Sequence, residues 1–235
     1  MPFSARQRLA ITELLDLTDP EDALTAYYAL YCPGKKATVH LVWERDEPIG
    51  FLVICQTAYE LFTPLVVLRS RSAEVTMNLL REYLAPAREY FFAVGEGDAP
   101  PLQMVCRTWE QEHERIYTLD PTHFVPHHHP SIRRRDQEDG RLSFEILLGD
   151  QVVSRAGTNW ESPYFGEIGV MTEAPYRGQG LGKAMVSACT EALLGRGIAP
   201  LYITDEDNLA SCRLCEALGY RFHGHREFAC RGMLR

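Results

Sequence analysis

Apolar and polar residues alternate along this chain in two rhythms, one of about three and a half residues and one of two, and the switches between them mark its elements. Leu9, Ile11, Leu14 and Leu15, interleaved with Glu13 and Asp16, predict an amphipathic helix. Residues 7–31 read as one or two short helices broken at Asp19-Pro20, with Asp22 or Thr25 as caps. A β rhythm follows in Val39–Trp43, turns at Asp46 to Gly50 and returns in Phe51–Cys55. Pro64–Arg69 predicts a third strand, Ala73–Leu84 a helix and Tyr90–Val94 a fourth strand.

Residues 95–140 change character. Prolines 100, 101, 121, 126 and 130 punctuate a short helical piece around Trp109 and a strand at Arg115–Leu119. The plan then repeats: Phe144–Leu148 turns at Gly149-Asp150 into Val152–Gly157, Phe165–Thr172 is a strand, and Gly180–Leu194 a helix. Leu201–Thr204 is the next strand, Asn208–Leu218 a helix stopped by Gly219, and Tyr220–Cys230 a terminal strand. Both halves run hairpin, strand, helix, strand. The expected architecture is α/β of the α+β type, a mixed and mostly antiparallel sheet flanked by helices. Its parts are a domain over 1–125, a linker over 126–140 and a second domain over 141–235.

Composition narrows the function classes. The 235 residues are 46% apolar and 24% charged, which excludes disordered and low-complexity chains. The net charge of −8 argues against a general nucleic-acid or anionic-membrane binder. The acid is uneven: residues 1–139 carry 14 basic and 21 acidic side chains, residues 140–235 only 10 and 11. On charge alone, the second half is the better host for an anion.

The N-terminal residues from Met1-Pro2-Phe3 lead into the amphipathic helix and not into an unbroken apolar run, and no run approaches the length needed to span a bilayer. The expectation is a cytoplasmic protein. Seven scattered cysteines read as reduced core thiols, Cys212-x-x-Cys215 lacks further ligands for zinc, and no metal is assigned.

The chemistry concentrates in Val170 to Lys183, where a strand enters a tight loop with glycines at 178, 180 and 182 and then a helix whose apolar face is Leu181, Met185, Ala188 and Ala192. Glycines let backbone amides converge unobstructed, and a helix N-terminus favours negative charge. The loop therefore suits a diphosphate. A Walker A loop needs four residues between its glycine and Gly-Lys-Ser/Thr, and a dinucleotide fingerprint needs G-x-G-x-x-G; neither spacing is met.

Arg177-Gly178-Gln179-Gly180-Leu181-Gly182 resembles the Arg/Gln-x-x-Gly-x-Gly/Ala signature of the GNAT superfamily of N-acetyltransferases. A second block, Asn208-Leu209-Ala210-Ser211 through Leu218-Gly219-Tyr220, resembles that superfamily's Asn-x-x-Ala/Ser…Leu-Tyr-Glu-x-Leu-Gly-Phe helix. The likeness covers about residues 141–230, and the first half matches only in element order, as a degenerate repeat would. It implies acetyl-CoA or another acyl-CoA between two splayed parallel strands, Phe165–Thr172 and Leu201–Thr204. The pyrophosphate would lie on amides of Gly178 to Gly182, with Arg177, Leu181 and Lys183 around it. The pantetheine arm would run along Val170, Met171 and Thr172, with Asn208 and Ser211 from the second block.

The resemblance implies direct attack of a small-molecule amine on the thioester. Such an amine is mostly protonated near neutrality, so a base must take a proton. Glu167 is the candidate and Glu161 the next. Where the superfamily often has a tyrosine able to reprotonate the leaving thiolate, this chain has Cys215, which reads as a proton donor or as a small packed helix residue. That substitution keeps open a catalytically weak acyl-CoA-binding or regulatory module. The run His127-His128-His129 and the cluster Arg133-Arg134-Arg135, offset by Asp136, Glu138 and Asp139, read as solvated linker. The first half has Arg69-Ser70-Arg71-Ser72 in place of the glycine loop and is expected to cover the acceptor side without binding CoA.

Overall fold

A computed structural model describes residues 4–32, 37–57, 62–135, 137 and 140–235. Met1 to Phe3 and the counter-charges Asp136, Glu138 and Asp139 lie outside the described residues. Contacts divide the chain into two units, residues 1–114 with 226–235, and residues 115–225. The sequence reading drew its boundaries at 125 and 140. The return of 226–235 to the first unit depends on strand pairing far apart in the chain, which no local pattern encodes.

The first unit opens with α1 (Ala5–Glu13), whose cap Ser4 and Gln7 bond each other reciprocally. Asp19 caps a 3-10 turn, Pro20–Asp22, through the Glu21 amide, and α2 (Ala23–Ala26) continues into a π turn, Tyr27–Tyr31. The strands β1 (Ala37–Glu44), β2 (Glu47–Cys55) and β3 (Leu65–Ser70) pair antiparallel in order. Helix α3 (Ala73–Tyr83) crosses to β4 (Tyr90–Gly95), which lies parallel to β3. One core lies around Leu52, Leu68, Leu79, Phe92 and Phe228, and a second around Ile11, Phe51 and Val67.

Two long strands belong partly to each unit, β5 (Cys106–Thr118) and β11 (Arg221–Leu234). Residues 227–232 of β11 pair antiparallel with β4. Trp109 lies in β5 and not in a helix, a correction to the sequence reading; the helix precedes it as α4 (Ala99–Val105). Pro100 and Pro101 sit in that helix's first turn, where a missing N–H costs nothing, so they start a helix instead of breaking one.

In the second unit β6 (Ile132–Arg134), β7 (Ser143–Leu148), β8 (Gln151–Glu161) and β9 (Phe165–Thr172) pair antiparallel in order. Arg133 and Arg134, read as linker, thus lie in an edge strand. Helix α5 (Leu181–Leu194) leads to β10 (Ala199–Asp205), parallel to β9, and α6 (Leu209–Glu216) follows. Met185, Cys189 and Leu193 of α5 pack against Phe144, Ile146 and Ile168 of the sheet. The arrangement is mixed and mostly antiparallel, with helices flanking the sheet.

Gly219 ends α6 at φ +102°, and a Cβ there would collide with the carbonyl oxygen of His123. Left-handed backbone and a main-chain clash together should make Gly219→Ala cost about 3 kcal/mol. Chemical denaturation should show a lower midpoint with an unchanged slope. A stability equal to wild type would contradict this packing.

Candidate functional site

The site begins where two parallel strands part. β9 and β10 share only three registered pairs, Ala199↔Phe165, Pro200↔Gly166 and Leu201↔Glu167. Both strands run on for several residues past the last pair, to Thr172 and Asp205. Beyond Glu167 the backbone of β9 on that side is therefore not committed to β10, and Met171 is exposed there.

β9 delivers the chain into the glycine loop. Arg177 does not project from it: its Nε donates to the Thr172 carbonyl at 2.9 Å, tying the loop back to the strand. Gly178 and Gly180 have φ of +75° and +81°, values open to glycine without strain. Gly180 is the N-cap of α5 and has no side chain to satisfy the helix. The first helical bond runs from the Ala184 amide to the Gly180 carbonyl, so the amides of Leu181, Gly182 and Lys183 precede the first rung. A Cβ at Gly182 would stand 3.2 Å from Leu214 and 3.3 Å from the Thr172 hydroxyl, which is why α5 can approach α6 and β9 closely. The corresponding helix of the first unit is closed: the Ser72 side chain accepts from the Val75 amide. One helix start is open to an anion and the other is capped by its own chain.

Glu167 lies at the fork, registered with Leu201 on one side and Trp160 on the other. Burial pushes its carboxyl above the usual range, while hydrogen bonds from Asn159 and Trp160 favour the charged form and pull it back. Asn159 Nδ2 donates to Glu167 Oε1 at 2.9 Å. Glu161 is fully engaged: Oε1 accepts from the Thr158 hydroxyl and the Leu142 amide, and Oε2 pairs with Arg196 at 2.7 Å. It is a structural group.

The residues of the second block act first on their own helix. Asn208 Oδ1 accepts from the Ser211 amide as the α6 cap, and the Ser211 hydroxyl lies 2.8 Å from the Tyr202 hydroxyl. Cys215 is fully buried, its thiol donates to the Cys212 carbonyl at 3.1 Å, and burial pushes its pKa far up. Tyr202, on β10 just past the fork, is pushed up to about 12, chiefly by burial. All seven cysteines hold thiols.

The histidine run lies along α5. The His127 amide donates to the Ser187 hydroxyl at 2.9 Å, and His128 faces Glu191. His127 Nε2 would stand 3.3 Å from a Cβ at Gly180, so its ring borders the open helix start. Burial, with help from Lys183 and the neighbouring histidines, lowers its pKa, consistent with a locally positive rim.

The family model of the acetyltransferase (GNAT) family matches residues 106–220, a span holding the glycine loop, both parallel strands and the α6 block. Residues 106–220 belong to the GNAT family. No curated protein sequence matches the chain. Among solved structures, a GCN5-related N-acetyltransferase from Sphaerobacter thermophilus is 18% identical, with a TM-score of 0.60 over 96% of this chain and 92% of its own. One from Kribbella flavida is 15% identical, with a TM-score of 0.60 over 99% and 96%. A tandem GNAT protein from the clavulanic acid biosynthesis pathway is 11% identical, with a TM-score of 0.57 over 96% and 92%. These likenesses show the fold.

Within the GNAT domain the sequence pattern does not single out Asn159, and it assigns His127 to a solvated linker, whereas the His127 ring borders the start of α5. For the first, no local signal exists, because the bulge at Asn159 is defined by the register of β8 against β9. For the second, nothing local tells that a Pro-flanked histidine run folds back on α5. Among the described residues no helix is long and apolar enough to cross a membrane.

Proposed function

We propose that the chain is an acyl-CoA-dependent N-acyltransferase that passes an acetyl group from acetyl-CoA to the primary amine of a small molecule by direct attack. The observation that carries this reading is the fork of β9 and β10 beside a helix start that glycine leaves uncapped. Glycine also sets the packing around the helix start: a Cβ at Gly180 would approach the His127 ring, and one at Gly182 would press on Leu214 and Thr172.

The amides of Leu181, Gly182 and Lys183 would hold the pyrophosphate, with Gly178 and Gln179 shaping the approach. A cradle of amides at a helix start needs few formal charges, so an acidic protein can still bind CoA. Val170, Met171 and Thr172 offer strand backbone to the pantetheine arm. Acetyl-CoA supplies the activated acyl group. Glu167 takes the proton from the incoming ammonium, and a raised carboxyl is the better base for that task. A strand amide near Met171 donates to the acyl oxygen. Cys215 returns a proton to sulfur only if its thiol leaves the Cys212 carbonyl, and water is the competing donor. The first unit, whose helix start is closed by Ser72, serves the acceptor and not the cofactor.

Incubating the full chain with acetyl-CoA and a panel of amines, and reading free CoA thiol, tests the proposal. Turnover on at least one amine is expected. Tight CoA binding with no turnover on any amine would replace the enzyme reading with that of an acyl-CoA-binding module.

A further inference from the structure

We propose that Asn159 is a positioning residue for the reaction, orienting Glu167 and holding it in its charged form. The inference rests on the reading of Glu167 as the base and adds a residue that reading does not require. Three local irregularities meet at one contact. In β8 and β9 Thr158 is registered with Ile168 and Trp160 with Glu167, so Asn159 is an extra residue without a partner across the ladder, a β-bulge. Regular alternation would turn Asn159 away from the face that Thr158 and Trp160 share, whereas a bulge re-aims its side chain. Here the re-aimed amide reaches Glu167 Oε1 at 2.9 Å.

Gly169 completes the device. A Cβ there would stand 2.7 Å from Asn159 Oδ1 and 3.0 Å from Nδ2. Any other residue in the middle of β9 would displace the amide from Glu167. Asparagine and glycine are both poor strand formers, and a bulge interrupts the ladder. Asn159 is also exposed, where one hydrogen bond contributes little to folding. Local rules broken together with little gain in stability mark a functional site.

The groups facing the carboxyl are Asn159 and Trp160 from β8, and Tyr202 from β10, whose own titration feels Glu167. Of these, the Asn159 amide is the donor that bulge and glycine exist to place. Its donation to the carboxylate offsets burial and fixes the plane in which the base meets an ammonium group.

The test is a titration of the full chain labelled with 13C-carboxyl glutamate, followed by NMR, with Glu167→Gln identifying the signal. Asn159→Leu should move the Glu167 midpoint to higher pH. Asn159→Asp, which cannot donate when ionised and adds a like charge, should move it further in the same direction. On an amine that the wild type acetylates, Asn159→Leu should lower kcat/KM about tenfold below the wild-type midpoint. Above the shifted midpoint it should return to within about twofold, with KM nearly unchanged. A folded Asn159→Leu with an unmoved midpoint overturns the proposal through Asn159 itself. A moved midpoint with undiminished turnover by Glu167→Gln overturns it through the base, so the two failures are separable.

Discussion

Gly180→Trp is expected to abolish CoA binding, with a loss of at least about a hundredfold in affinity, while the fold persists. Gly180 sits at φ +81° as the cap of α5, so any side chain there starts beside His127 at the head of the helix whose first amides are those of Leu181, Gly182 and Lys183. An indole covers the space in which those amides would meet a diphosphate. Each such charge-assisted bond contributes about 1.5–3 kcal/mol, and losing two already exceeds a hundredfold. The left-handed backbone costs a non-glycine residue about 1–2 kcal/mol, well within the stability of an ordinary domain. Calorimetric titration with CoA, beside circular dichroism of the variant, reads both effects. Wild-type affinity in a folded variant would refute the cradle.

Glu167→Gln should lower kcat by about 10²–10⁴-fold at neutral pH, the range for removing a positioned general base. The sign of the pH effect follows from burial. Desolvation lifts the carboxyl, so the ionised base fills in above the usual carboxylate range, and wild-type kcat should rise with pH through that midpoint. In the glutamine variant this limb should vanish, leaving only the titration of the amine. Glutamine keeps an acceptor for Asn159 and nearly the same volume, so folding should be untouched. A kcat within about threefold of wild type, with the acid limb still present, would remove Glu167 from the mechanism.

Most of the secondary structure is legible because half-buried elements show a period, while β2 and β3, buried on both faces, show short apolar runs bounded by turns. The glycine loop was legible to the residue: Gly178, Gly180 and the strand before them define a conformation few other residues allow. Trp109 was misread because prolines ahead of it signal a break in a linker and a first turn in a helix equally well, and only the contacts of α4 decide. Arg177 and Asn208 matched a pattern, yet their side chains serve the loop and the α6 cap. Spacing reports which residue is present, not what it bonds. Asn159 escaped because a bulge is a property of two strands, visible only in the mismatch between Thr158↔Ile168 and Trp160↔Glu167.

The strand that closes the first unit is made after the whole of the second unit. Residues 227–232 of β11 cover one edge of β4, and Phe228 and Cys230 are fully buried in the core it completes. On a ribosome, the second unit, 115–225, has every residue it needs before the first one does. The usual order, N-terminal part first, is thus reversed for completion. Until residues 227–232 emerge, β4 waits with an open edge, exposed to a chaperone or to a neighbouring chain.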